Sequence, residues 1–209
     1  AHMAWMPWLQ SFGWLRDLRA LGGDLARKCA RALLLDWMKT YGRWDESVWA
    51  NDVMGERVSH WIALYDFFGE SADDEFQELF FEVMIVQARH LARALPGEEF
   101  GLARLKAIKG ILYAGLAFEG EEVWIEQALQ MVRVEIDTQI LSDGSHVSRS
   151  PQDLASALQI LLDMRGALSA AHYPLPERIQ HAIDRMVPAL KFFRYSDKHF
   201  ALFHGAQEG

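Results

Sequence analysis

The stretch Asp24–Gly42 reads DLARKCARALLLDWMKTYG. Its apolar residues recur three and four apart, the spacing that lines one face of an α-helix. Asp24 is a good N-cap and Gly42 a good stop. The same rhythm continues on both sides. Upstream, Pro7 opens a helix that reaches Leu21 and closes at Gly22-Gly23. Downstream, Asp45 or Asn51 opens a third helix running to Phe68 and Gly69. Ser71 with Asp74 makes a capping-box-like start for a fourth, which ends before Pro96-Gly97. A fifth runs from about Glu99 to Phe118 and a sixth from about Glu121 to Leu141. A seventh has Ser150 before it, Pro151 at its first position and Asp153 at the capping-box position. An eighth starts near Pro176 and reaches about Tyr195, with Pro188 inside it as a predicted kink.

The chain is therefore expected to be all-α. Short connections make neighbouring helices antiparallel, so it reads as stacked αα-hairpins. No repeat of fixed period marks a regular solenoid. The segment HFALFHG, His199–Gly205, alternates weakly like a β-strand, and an unpaired strand ending a helical chain suggests the start of another domain. Ala1–Met3 read as the scar of a cleaved tag. The expected division is residues 1–3 as scar, 4–198 as helical domain, and 199–209 as the start of a missing domain.

The 209 residues are 51% hydrophobic, enough for a sizeable core. The net charge of −8 and the lack of a basic run argue against nucleic acid. No apolar run approaches the roughly 18 residues of a membrane span. Localisation stays open, because the native N-terminus is expected to lie upstream. The one cysteine, Cys29, excludes an intrachain disulfide and is expected as a small buried hydrophobe. Eight tryptophans are many for this length. Trp5, Trp8, Trp14, Trp37, Trp44, Trp49 and Trp61 fall in the first third, to fill core between helices or to line a groove where sugar rings stack.

Chemistry concentrates in LSDGSHVSRSP, Leu141–Pro151. Asp143-Gly144 marks a turn. Ser150 caps the next helix, whose first amides and positive dipole end face the preceding loop. His146 and Arg149 stand in that loop, so a carboxylate or sulfate could be held there. Alternatively, Arg149 pairs with Asp143 or Asp153 and His146 is a surface residue.

The same residues carry a family resemblance. WLRDLRALG (Trp14–Gly22), QILSDGSHVSRSP (Gln139–Pro151) and HAIDRMVPALKFFRYSDKHFALFHG (His181–Gly205) resemble the heparinase II/III-like family, which contains bacterial polysaccharide lyases. The resemblance implies an incomplete (α/α) toroid followed by a β-sandwich domain, here absent, as the toroid's partner. It also implies a uronate-containing anionic polysaccharide, heparan- or alginate-like, cleaved by β-elimination. Neutralising the uronate carboxylate stabilises an enolate-like transition state, a base takes the C5 proton, and an acid protonates the leaving oxygen. By resemblance His146 and Arg149 touch the uronate, and Tyr195 is the candidate acid/base.

Departures from the family pattern bear on catalysis. Gln152-Asp153-Leu154 stands where many family lyases carry a Tyr-His pair, and Leu102-Ala103 stands near the place of an Asn-His pair. The family also uses a histidine from the β-domain. The fragment alone is thus expected to have little or no lyase activity. Arg57 and Trp61, four apart on one helix face, are expected by resemblance to point to the cleft, or else to pack at the core rim. Lys109, with Lys106, adds positive potential to the cleft or lies on a solvated face. His60 is expected on a different face from Trp61, structural or exposed. Asp36, Asp66 and Asp163 are single acids that define no glycosidase pair. His172, His181, His199 and His204 lack metal-ligand spacing, and no cofactor motif is present.

Three functions follow from these residues. The first is the toroid of a polysaccharide lyase. The second is a glycan-binding or scaffold domain that has lost the lyase residues. The third is a hydrolase with two carboxylates on a similar barrel.

Overall fold

A computed structural model of the chain describes residues 5–46 and 48–193. The expected terminal strand and Tyr195 lie outside the described residues. The elements are α1 (Met6–Gln10), α2 (Leu15–Leu21), α3 (Gly23–Tyr41), α4 (Asn51–Ala63), α5 (Tyr65–Phe68), α6 (Asp74–Ala94), α7 (Leu102–Ala117), α8 (Glu122–Gln139), α9 (Pro151–Ala170) and α10 (Glu177–Phe192). A single 3₁₀ turn at Leu95–Gly97 follows α6. Among the described residues the only β-type pairing is an isolated bridge between Ile140 and His146.

Several helix ends differ from expectation for local reasons. The helix expected over 7–21 is two, because Phe12 adopts φ 60°. That left-handed turn puts its ring, 2% exposed, edge-on to Trp37 and Trp61. Burying the ring offsets the strain of a non-glycine residue in that region. Asp24 is not the cap of α3; Gly22 is, and Asp24 pairs with Lys28 at 2.8 Å. The third expected helix breaks at Leu64 into α4 and α5. Asp73 rather than Ser71 caps α6, accepting from the Phe76 amide at 2.9 Å. Cys29 is exposed, on the solvent side of α3. Ser150 does cap α9, accepting from the Asp153 amide, with Pro151 at the first position.

The helices form two layers. α4, α7 and α9 lie side by side as an inner layer, and α3, α6, α8 and α10 pack outside them. α7 is at the centre, against α4, α6, α8 and α9. It is buried nearly all round, from Arg104 to Gly115, as a helix without an amphipathic face must be. The tightest contact is between α4 and α7. A Cβ on Gly110 would lie 2.5 Å from the Gly55 Cα, and one on Gly55 would lie 2.5 Å from the Ala107 Cα. Real side-chain carbons do not approach so closely, so the two backbones touch only because both positions are glycine. This crossing brings their sequence neighbours, Glu56 and Lys109, together.

Candidate functional cleft

A cleft of about 700 Å³ opens over the inner layer. Pro7 and Trp8 of α1, Ser11 and Arg16 form one side. Asp52, Val53, Glu56 and His60 of α4 recur at helical spacing along its wall, with Lys106 and Lys109 of α7 beside them. Gln152, Ala155, Ser156, Gln159, Ile160 and Asp163 of α9 complete it.

The centre of the cleft is an ion cluster. Lys109, 2% exposed, donates to Glu56 Oε2 at 2.9 Å and to Asp163 Oδ2 at 3.3 Å. Gln159 donates to the other Asp163 oxygen at 2.7 Å. His60 donates Nδ1–H to the Ser11 carbonyl at 2.8 Å, which leaves Nε2 facing Glu56 at 3.8 Å. Burial pushes the His60 pKa below its ordinary 6.5, so the ring is neutral at physiological pH. Tyr113 sits behind the cluster and donates to the Asp163 carbonyl at 3.1 Å. Burial, with the Asp163 charge adding, pushes its pKa up to about 12, the wrong direction for a base near neutrality. Three cations (Arg16, Lys106, Lys109) face three carboxylates (Asp52, Glu56, Asp163) among the lining residues, so the cleft carries no surplus positive charge.

The Leu141–Pro151 loop is a second, self-contained arrangement. Gly144, at φ 82°, lies against the Arg185 carbonyl of α10, where any Cβ would collide. Asp143 accepts from the Ser145 amide and hydroxyl at 2.9 and 2.6 Å and from Arg149 at 3.0 Å. Those bonds, Ser145 first, hold its carboxyl down to about 2. The folded pKa is depressed, so this group's contribution is complete above its unfolded value near 3.8 and is lost as the pH falls through about 2. A carboxyl NMR titration is expected to give the Asp143 midpoint near 2. Replacing Arg149 with Ala should move that midpoint upward.

His146 is buried in a chain of hydrogen bonds. Arg104 Nη1 donates to Glu135 at 3.0 Å, and Gln139 Nε2 donates to the same carboxylate. Gln139 Oε1 must then accept from His146 Nε2–H, at 3.1 Å, which fixes the tautomer. His146 Nδ1 accepts from the Ser148 amide at 3.2 Å and lies 2.8 Å from the Ser148 hydroxyl, whose one proton is shared between Nδ1 and Asp153, 2.7 Å away. Burial lowers the His146 pKa from 6.5. A base with a depressed folded pKa stabilises the fold above its unfolded value and stops doing so as pH falls through the folded one. Chemical-denaturation stability is expected to fall below about pH 6.5, and less steeply in His146→Gln.

The structure brings together some of the expected site residues and separates others. Lys109 lines the cleft, joined by Lys106. His146 and Arg149 stand together before α9 but do not line the cleft, and Arg149 makes the Asp143 pair that the sequence left as an alternative. Arg57 and Trp61 do not face the cleft: both are 0% exposed. Arg57 lies 4.3 Å over the Trp37 ring and donates to Gln87 and to the Gln10 and Val48 carbonyls. They share a helix face as expected, but it is the inward one, one residue round from Glu56 and His60. Of the cluster residues, the sequence did not single out Glu56; it named His60 only as structural or exposed and Asp163 only as a single acid, and both line the cleft. The available signal was a glycine beside a charge in each of two helices, Gly55-Glu56 and Lys109-Gly110. Among the described residues no helix is long and apolar enough to cross a membrane.

The two-layer helical arrangement is that of the helical toroid found in heparin lyases. It is similar to heparan sulfate lyase HepC from Pedobacter heparinus, with a TM-score of 0.71 at 21% identity, covering 93% of this chain and 33% of that one. It is also similar to a heparinase III structure, with a TM-score of 0.73 at 18% identity, covering 90% and 31%. Likeness at such identity shows the fold alone. The chain belongs to the heparinase II/III family, whose N-terminus model matches residues 24–208. It is 36% identical over 200 residues to FtsZ-localized protein C of Caulobacter vibrioides, covering 95% of this chain and 34% of that protein. The chain thus spans about a third of the length of the relatives it matches.

Proposed function

We propose that this heparinase-type toroid binds a glycan in the α4–α7–α9 cleft without cleaving it, within a longer protein localised through FtsZ. The observation that carries the proposal is the Glu56–Lys109–Asp163 cluster. β-Elimination of a uronate needs positive donors left over to neutralise the sugar carboxylate, and a base poised to ionise. In this cleft Lys109 is already engaged by two carboxylates, and Tyr113 is shifted away from ionisation. The same cluster disfavours a two-carboxylate hydrolase, because Lys109 holds both acids. The 36% identity to a protein named for its localisation supports a role in placement rather than turnover.

A lyase remains the second reading, favoured by one observation. His146 and Arg149 stand together at the Ser150-capped start of α9, where a carboxylate would be held. In that reading Arg149 exchanges Asp143 for a uronate carboxylate, and a domain beyond this chain completes the site. The two are separated by amide NMR titration with oligosaccharides. Glycan binding in the cleft shifts the signals of Lys106, Ser156 and Gln159. Shifts confined to Ser145–Arg149 would support the lyase reading instead, and none anywhere would defeat both.

A further inference from the structure

We propose that the cleft selects an uncharged, N-acetylated hexosamine chain over a sulfated or uronate polymer; this rests on the glycan-binding function proposed above. An anionic sugar gives up strong hydration on binding and needs unspent positive charge in return. The cleft has no net positive charge to give, because its three cations are matched by three carboxylates. Lys109 is divided between Glu56 and Asp163, and Arg16 and Lys106 share the walls with Asp52 and those two carboxylates. A sulfated chain in this cleft would lie beside three carboxylates, on a molecule of net charge −8.

What the cleft offers instead suits hydroxyl and acetamido groups. α9 presents Gln152, Ser156 and Gln159 on successive turns. Amides and hydroxyls both donate and accept, as sugar hydroxyls and acetamido groups do. The wall carboxylates accept from hydroxyls and amide N–H groups, which sulfates cannot supply. Apolar contact comes from Val53 and Ile160, and from Trp8, which is 58% exposed at the rim. An exposed indole is a platform for the C–H face of a sugar ring or an acetamido methyl.

The test is calorimetric titration of the chain with three probes: tetra-N-acetylchitotetraose, a heparin tetrasaccharide and tetragalacturonate. The chitotetraose is expected to bind with a Kd that changes less than about twofold between low salt and about 0.5 M salt. Trp8→Ala and Gln159→Ala, both surface changes, should each weaken it about tenfold. Tighter binding of either anionic probe, collapsing with salt, overturns the selectivity but leaves glycan binding standing. Chitotetraose binding that neither variant weakens overturns the assignment to this cleft. Failure of all three probes to bind overturns both this inference and the function it rests on.

Discussion

Gly110→Ala should be among the most damaging single-carbon changes in the protein. Alanine favours helix over glycine by about 1 kcal/mol, so propensity alone predicts stabilisation. The added Cβ would sit 2.5 Å from the Gly55 Cα, however, and backbone cannot move aside as a flexible side chain can. Overpacking of this kind costs about 1–3 kcal/mol, and backbone contact puts it at the upper end. The expected loss is about 3 kcal/mol, or roughly 10 °C in Tm for a domain of this size. Gly166→Ala is the matched control: it lies in α9 with nothing within 4 Å of a Cβ. It should gain about 0.5–1 kcal/mol. Thermal unfolding followed by circular dichroism measures both. Equal effects at the two positions would mean that α4 and α7 do not touch at their glycines.

The second large effect is expected from Lys109→Met. Methionine fills much the same volume but leaves Glu56 and Asp163 facing each other, with side chains only 17% and 18% exposed. Removing one partner of a buried ion cluster costs about 3–5 kcal/mol, and partial exposure of the acids puts this case near 3. Its pH dependence is diagnostic. Two adjacent carboxylates without their cation raise each other's pKa in the folded state. The folded variant then binds more protons than the unfolded chain, so its deficit is full at neutral pH and shrinks toward about pH 5. A deficit unchanged between pH 7 and about 5 would show that packing, not charge, explains the loss. Adding Glu56→Gln to Lys109→Met should recover part of the stability at neutral pH.

What was legible in the sequence was local. Ser150, Pro151 and Asp153 announce the start of α9 because a cap is satisfied within three residues. Helical periodicity similarly gives most of the helices. The break at Phe12 was not legible, because its strain is offset by Trp37 and Trp61, residues far along the chain. Arg57 and Trp61 show how the limit works at the site. Their shared face follows from spacing, but whether that face looks inward depends on where α3 and α6 pack. The ion cluster was hidden for the same reason. Glu56 and Lys109 lie 53 positions apart and meet only because Gly55 and Gly110 let two helices touch. The family resemblance predicted the toroid, and the matched N-terminal region bears it out. It could not say whether His146 and Arg149 still perform chemistry, since that depends on where Asp143, Gln139 and Ser148 hold them.

A lyase-type toroid that binds glycan without cutting it forms no unsaturated product. The most direct measurement is ultraviolet absorbance during incubation of the full-length protein with a panel of uronate glycans, since β-elimination creates an absorbing unsaturated uronate. A flat trace is expected on every uronate glycan, at protein concentrations that saturate binding of the neutral chain. A rising absorbance that disappears in His146→Ala would contradict it and establish the protein as a working lyase.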